Sequence, residues 1–86
     1  MANIQSAIKR ARQNTKRYQR NRMVRSRMRS FVKTADRLIV EGNKEEATVA
    51  VQQAISELDK AAQKGVIARN NAARRKSRLM KRFNAL

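Results

Sequence analysis

Apolar residues recur along this chain at helical spacing, and two glycines interrupt the pattern. Met28, Phe31, Val32, Ala35, Leu38 and Ile39 fall three or four apart and make one apolar stripe, the mark of an amphipathic helix. Upstream the stripe thins to Ile4, Ile8, Ala11, Thr15 and Tyr18, with Arg and Lys on the other faces. Proline is absent, glycine occurs only at Gly42 and Gly65, and good helix formers dominate the rest. The pattern predicts three helices. The first runs from near Ile4 or Ala7 to residue 40, the second over about 44–64 and the third over about 68–84.

The punctuation has its own chemistry. Asn43 is placed to cap the second helix, with Glu46 three residues on as a capping box requires. Ala47, Ala50, Val51, Ala54, Ile55, Leu58, Ala61 and Ala62 then form a broad apolar face. Lys64–Gly65 reads as a last-turn cation followed by a left-handed cap, and Val66 and Ile67 are placed to pack across that turn. In the third helix Ala72, Leu79, Phe83 and Leu86 share a side, with Met80 beside them. Phe31, Phe83, Met28 and Met80 are read as core.

These elements predict an all-α fold, a three-helix up-down-up bundle forming a single domain over residues 1–86. A chain this short buries only about 60% of its unfolded surface, so the core is thin. A helix over residues 8–40 is roughly 50 Å long at about 1.5 Å per residue, and the second helix is about two-thirds of that. The front half of the first helix must therefore project beyond the bundle.

Charge sharpens the division. The chain of 86 residues carries 22 Lys and Arg against 6 Asp and Glu, a formal charge of +16. Residues 1–40 hold twelve basic residues and one acid, Asp36, and residues 61–86 hold eight basic residues and none. The second helix is close to ordinary in charge; its neighbours are not. Such a surplus works against compaction in isolation and favours polyanionic partners.

Composition also removes whole classes of chemistry. Without cysteine there is no disulfide or thiol nucleophile, and without histidine the commonest metal ligand and neutral-pH acid–base group are missing. Glu57 and Asp59 are two apart and point in different directions on a helix, while Glu41, Glu45 and Glu46 cluster at a turn, where capping and solvent account for them. No Gly-rich phosphate loop occurs. The reading is not an enzyme, with no metal and no cofactor. No apolar run approaches the roughly 20 residues of a membrane span. The N-terminus lacks the apolar centre of a signal peptide, and its loose likeness to an organellar transit segment continues past any sensible cleavage point. A soluble protein beginning at Met1 is the expectation.

The positive surface is best read as a phosphate-binding device, because the arginine fork matches phosphate geometry. One lone surface cation is ordinary; two helices almost devoid of the other sign are not. In the first helix the candidates are Lys9, Arg10, Arg12, Asn14, Lys16, Arg17, Tyr18, Arg20, Asn21, Arg22, Arg25, Arg27 and Arg29. Arg22, Arg25 and Arg29 share one face, and Tyr18 is placed either to stack on a base or to pack. Lys64 stands at the second turn. In the third helix the candidates are Arg69, Asn70, Arg74, Arg75, Lys76, Ser77, Arg78, Lys81 and Arg82. Each phosphate neutralised releases counterions, so affinity should be high and salt-dependent. Among nucleic acids, the absence of a short recognition helix, zinc ligands or a long leucine heptad favours shape reading of folded RNA over a DNA-binding motif.

These residues carry a resemblance. The opening "MANIQSAIKRARQ", the middle "RSRMRSFVK" and the end "AAQKGVIARNNAARRKSRLMK" resemble, in order and at matching spacing, the bacterial and plastid-type small-ribosomal-subunit protein family conventionally numbered twenty. The last stretch is the most diagnostic, with its matches at Lys64, Gly65, Val66, Ile67, Asn70, Ala72, Ala73, Arg74, Lys76, Ser77, Arg78 and Leu79. Members usually carry His where this chain has Ala68, and Lys at Gln5, Ile8 and Asn71; each departure removes at most one polar contact. The resemblance implies a structural ribosomal protein that binds small-subunit (16S) ribosomal RNA directly, early in assembly. It also implies a three-helix bundle whose long first helix runs among several RNA helices. The expected partner is that RNA, with few protein contacts, no membrane and no small-molecule substrate. The expected location is the cytoplasm, in the small subunit, or a plastid. A DNA-compacting nucleoid-type protein is the main alternative on charge alone. A membrane-surface protein would need a bulky apolar face opposite the charge, and a protein adaptor would leave two acid-free helices without a purpose.

Overall fold

A computed structural model describes the backbone of residues 2–86 and the side chains from Ile4 onward. Met1 and the side chains of Ala2 and Asn3, which carry part of the opening motif, lie outside the described residues. The chain forms three α-helices, α1 (Ala2–Glu41), α2 (Lys44–Gln63) and α3 (Arg69–Asn84). No strand occurs among the described residues. Helix α1 begins earlier than the pattern suggested, because neither proline nor glycine stands in its first turns to stop it. Its 40 residues correspond to about 60 Å, and the molecule is 63 Å long by 20 and 14 Å across.

Helix α2 is the hub: it packs against both neighbours, whereas α1 and α3 touch little. Its contact face is mostly alanine, with Ala47, Ala50, Ala54 and Ala61 all buried, so the flanking helices approach closely. One core cluster joins Ala35 and Leu38 of α1, Ala47, Ala50, Val51 and Ala54 of α2, and Leu79 of α3, with Phe31, Ile39, Met80 and Phe83 partly buried around it. A second, nearer the arm, joins Met28, Leu58 and Ala61, with Val24 and Ile67 at its edge. Leu86 departs from expectation: α3 ends at Asn84, so Leu86 lies beyond the helical face and is exposed.

Both glycines terminate helices in the left-handed region, with φ of 76° at Gly42 and 74° at Gly65. At the second turn the Val66 N–H donates to the Ala61 carbonyl (2.9 Å) and the Gly65 N–H to the Ala62 carbonyl (3.0 Å), a Schellman pair. The first turn repeats it through Asn43 to Leu38 and Gly42 to Ile39. That geometry leaves the capping box half formed. Asn43 Oδ1 accepts from the Glu46 N–H at 3.4 Å, but the Asn43 N–H is already committed to Leu38. A Cβ at Gly65 would meet nothing within 4 Å, so Gly65→Ala should cost only the left-handed penalty, about 1 to 2 kcal/mol. Urea unfolding measures this; an unchanged midpoint would contradict it.

Candidate nucleic-acid interface

The interface begins where the core ends. Every side chain from Ile4 to Arg20 is exposed, including Ile8 and Tyr18. Lys9, Arg10, Arg12, Lys16, Arg17 and Arg20 thus line one broad side of a bare helix, opposite the neutral sector of Ile4, Ile8, Ala11, Thr15 and Tyr18, and no acid precedes Asp36 in the sequence. Tyr18 is two-thirds exposed at 66%, so of its two readings the structure gives packing no support. The arm holds its helix by main-chain bonds alone, and Thr15 Oγ1 adds only a local bond to the Ala11 carbonyl at 2.9 Å. Like charges at helical spacing destabilise it by a few tenths of a kcal/mol per pair. In the free protein, amides of residues 5–20 should therefore exchange far faster than those around Leu58 and Leu79. Protection in the arm matching that of the core would refute this.

Where α1 enters the bundle, Tyr18, Asn21, Arg22, Arg25, Arg29 and Lys33 line an open groove along one side of the helix. Arg25 Nη2 donates to the Val66 carbonyl at 3.4 Å, which ties this groove to the turn before α3. Asn21 is half-buried, and its Oδ1 is enclosed without a partner. Lys33 is a member that the sequence reading missed; its spacing of four from Arg29 is the signal that finds it. A second open groove adjoins the first, sharing Arg22, Ser26 and Ser30 with it, and is lined further by Arg20, Met23, Arg27 and Phe31 of α1 and by Lys64 beyond α2.

Several basic residues have partners inside the protein. Arg27 Nε lies 3.1 Å from Glu57 Oε1, with its guanidinium carbon 5.3 Å from the centre of the Phe31 ring. Lys60 shares Glu57 at 3.7 Å. Lys76 Nζ meets Asp59 Oδ1 at 2.6 Å, and Arg82 meets Asp36 Oδ1 through Nε at 3.0 Å and Nη2 at 2.9 Å. Three of the six acids thus fasten α1 to α2, α2 to α3 and α3 to α1. The charges of Arg27, Lys76 and Arg82 are in part already compensated. Glu57 is buried, and its charge is met by Arg27 and Lys60. The Asp59 and Asp36 pairs are exposed and stabilise by under about 1 kcal/mol each, so those two orient the helices more than they hold them.

The remaining cations of α3 point outward. Ala72 and Leu79 are buried, and the opposite face carries Asn70, Arg74, Ser77, Arg78 and Lys81, all exposed. Arg69 is exposed in the first turn, after an extended Ala68 that supplies no side-chain cap. Arg75 is half-buried, with Nε donating to Asn71 Oδ1 at 2.9 Å. The candidates therefore form two separated surfaces, one along α1 and one along α3, and they do not converge on a pocket. Among the described residues no group of three or more His, Cys, Asp or Glu could hold a metal, and no helix is long and apolar enough to cross a membrane.

Comparison with known proteins meets this geometry. The pattern of the family described as ribosomal protein S20 matches residues 2–84. Small ribosomal subunit protein bS20 of Thermomicrobium roseum is 55% identical over 86 residues, covering 100% of this chain and 87% of that protein. The protein of the same name from an Exiguobacterium species is 52% identical with 100% of both chains covered. That of Bacillus cereus is 51% identical over 85 residues, 99% of this chain and 100% of the relative.

Proposed function

Since the chain belongs to the ribosomal protein S20 family, we propose that it is a structural, non-enzymatic component of the small ribosomal subunit that binds its ribosomal RNA directly. The observation that carries this reading is the acid-free arm of α1, exposed on every side and fixed at its base to a bundle in which Asp36, Glu57 and Asp59 are engaged by its own basic side chains. A protein that used α1 only for its own fold would bury one stripe of the arm; here the arm ends in solvent. The 86 residues act as one RNA-binding domain.

Helix α2, with the cores on either side of it, supplies a stiff support. The basic faces of α1 and α3 bridge phosphates of RNA elements that would otherwise repel, offsetting that repulsion and fixing their arrangement. Exposed arginines supply the bidentate contacts, and Tyr18 offers a stacking surface. No cofactor, metal or small-molecule substrate enters this account, few protein contacts are needed, and the protein acts in the cytoplasm within the subunit. Sedimentation of the tagged protein from its own cells is the test. Recovery with the small subunit and its precursors through a high-salt wash is expected; recovery with chromosomal DNA would favour the nucleoid-type alternative.

A further inference from the structure

Tyr18 is the one tyrosine of a chain that has no tryptophan, and it is exposed. It closes the neutral sector of α1, with Ala11 and Thr15 before it on that face and Arg22 and Arg25 after it. Spacings of three and four set Tyr18 beside both Asn21 and Arg22, and Asn21 beside Arg25. Side chains so spaced have Cβ atoms about 5–6 Å apart. All four line the same open groove.

Each member of this group is open to a ligand. The Tyr18 ring belongs to neither core cluster. Asn21 is half-buried in the groove wall, and its Oδ1 has no hydrogen-bond partner. An enclosed acceptor left in this way costs stability until a donor is supplied. Its donor and acceptor reach a ligand once the amide turns about its broad terminal torsion. Arg25 is held by the Val66 carbonyl through one Nη2 N–H, at 3.4 Å, and its other N–H groups remain for a phosphate. Arg22 is exposed beside it.

Cations alone would serve phosphate; a bare aromatic ring and an uncommitted amide one helical turn away do not. In a duplex the faces of the bases are covered by their neighbours, and the A-form major groove is too deep and narrow for side chains. A ring on the side of a helix therefore meets the face of a base only where that base is unstacked. Resting on the ribosomal reading above, we infer that Tyr18, Asn21, Arg22 and Arg25 form a site for one unpaired nucleotide of the RNA. Its base stacks on the Tyr18 ring, the Asn21 amide bonds the base edge, and Arg22 and Arg25 hold the flanking phosphates. Phosphate contacts carry no sequence information, so this nucleotide supplies an address that the cations cannot.

Binding to the 5′ domain of small-subunit ribosomal RNA across a salt series, together with chemical probing of its base edges, tests this. The intact protein is compared with Y18L, Y18F and N21A, whose fold is checked by circular dichroism and urea unfolding. Y18L, which keeps an apolar side chain without the ring, should weaken binding roughly 5- to 150-fold. Its log–log salt slope should match that of the intact protein, because no phosphate contact is removed. Y18F should rescue the loss, since the ring rather than the hydroxyl stacks. The intact protein should shield the edge of one unpaired base, and both Y18L and N21A should leave that base reactive. Affinity of Y18L equal to that of the intact protein, a loss in Y18F as large as in Y18L, or no base shielded would overturn the nucleotide site and leave the ribosomal reading standing. Binding of the intact protein to the ribosomal RNA no tighter than to transfer RNA would overturn that reading and this inference with it.

Discussion

Leu58→Ala should lower the unfolding free energy of the free protein by about 3 kcal/mol, within the range of roughly 2 to 5 for removing a buried leucine side chain. Leu58 is fully enclosed and stands with Met28 and Ala61 in the smaller core, edged by Val24, Val32 and Ile67, so its truncation leaves a cavity that these β-branched neighbours close only in part. At about 0.05–0.15 kcal/mol per residue a domain of this size has only some 4 to 13 kcal/mol in all. Losing the smaller core also frees the base of the arm, because Val24 and Met28 are its last enclosed apolar side chains toward the N-terminus. The leading part of α1 should then exchange faster still. Urea denaturation followed by circular dichroism reads the effect, with Leu86→Ala as the comparison, since Leu86 is exposed and should shift stability by under about 0.5 kcal/mol. Equal effects at the two leucines would contradict the packing described for α2.

The outward face of α3 has the second large effect. Arg74, Arg78 and Lys81 are exposed without an acidic partner among the described residues, whereas Lys76 and Arg82 are paired with Asp59 and Asp36. Replacing the first three with glutamine removes three sites of counterion exchange. Affinity for the RNA at about 0.1 M salt should fall on the order of a hundredfold, and the log–log salt slope should drop by about 2 to 3. Stability should hold or rise, because like charges are being separated. Substituting Lys76 and Arg82 instead should weaken binding less and lower stability by under about 1 kcal/mol each, since each loses an exposed pair that orients α3 against a neighbour. Filter binding across a salt series separates the two patterns. An unchanged slope in the triple variant would remove α3 from the interface.

Much of this was legible before any coordinates. The positions of Gly42 and Gly65 and the period of the apolar stripe locate the three helices, because glycine alone adopts a positive φ cheaply and nothing else in the chain breaks a helix. The projecting arm also follows from the sequence, since α1 is longer than its partners and its apolar stripe thins before Val24. Pairings were less visible. That Arg27 would be held by Glu57, and Arg82 by Asp36 46 residues away, depends on the crossing of helices, which no local spacing encodes. The half-formed capping box at Asn43 is similar: sequence shows the Asn and the Glu, but not that the Asn43 N–H is spent on the preceding helix. Leu86 was misplaced because a helical period was carried past the last helical residue. The ribosome itself was legible only through resemblance, since charge and periodicity alone specify a polyanion and no more.

On the proposed reading, folded small-subunit ribosomal RNA is recognised through placement of the basic helices as well as through charge. The most direct measurement is binding of the purified protein to the 5′ domain of that RNA, with transfer RNA and duplex DNA as competitors, across rising salt. A preference for the ribosomal RNA that survives as salt weakens all three is expected. Equal affinities that fall together would contradict it.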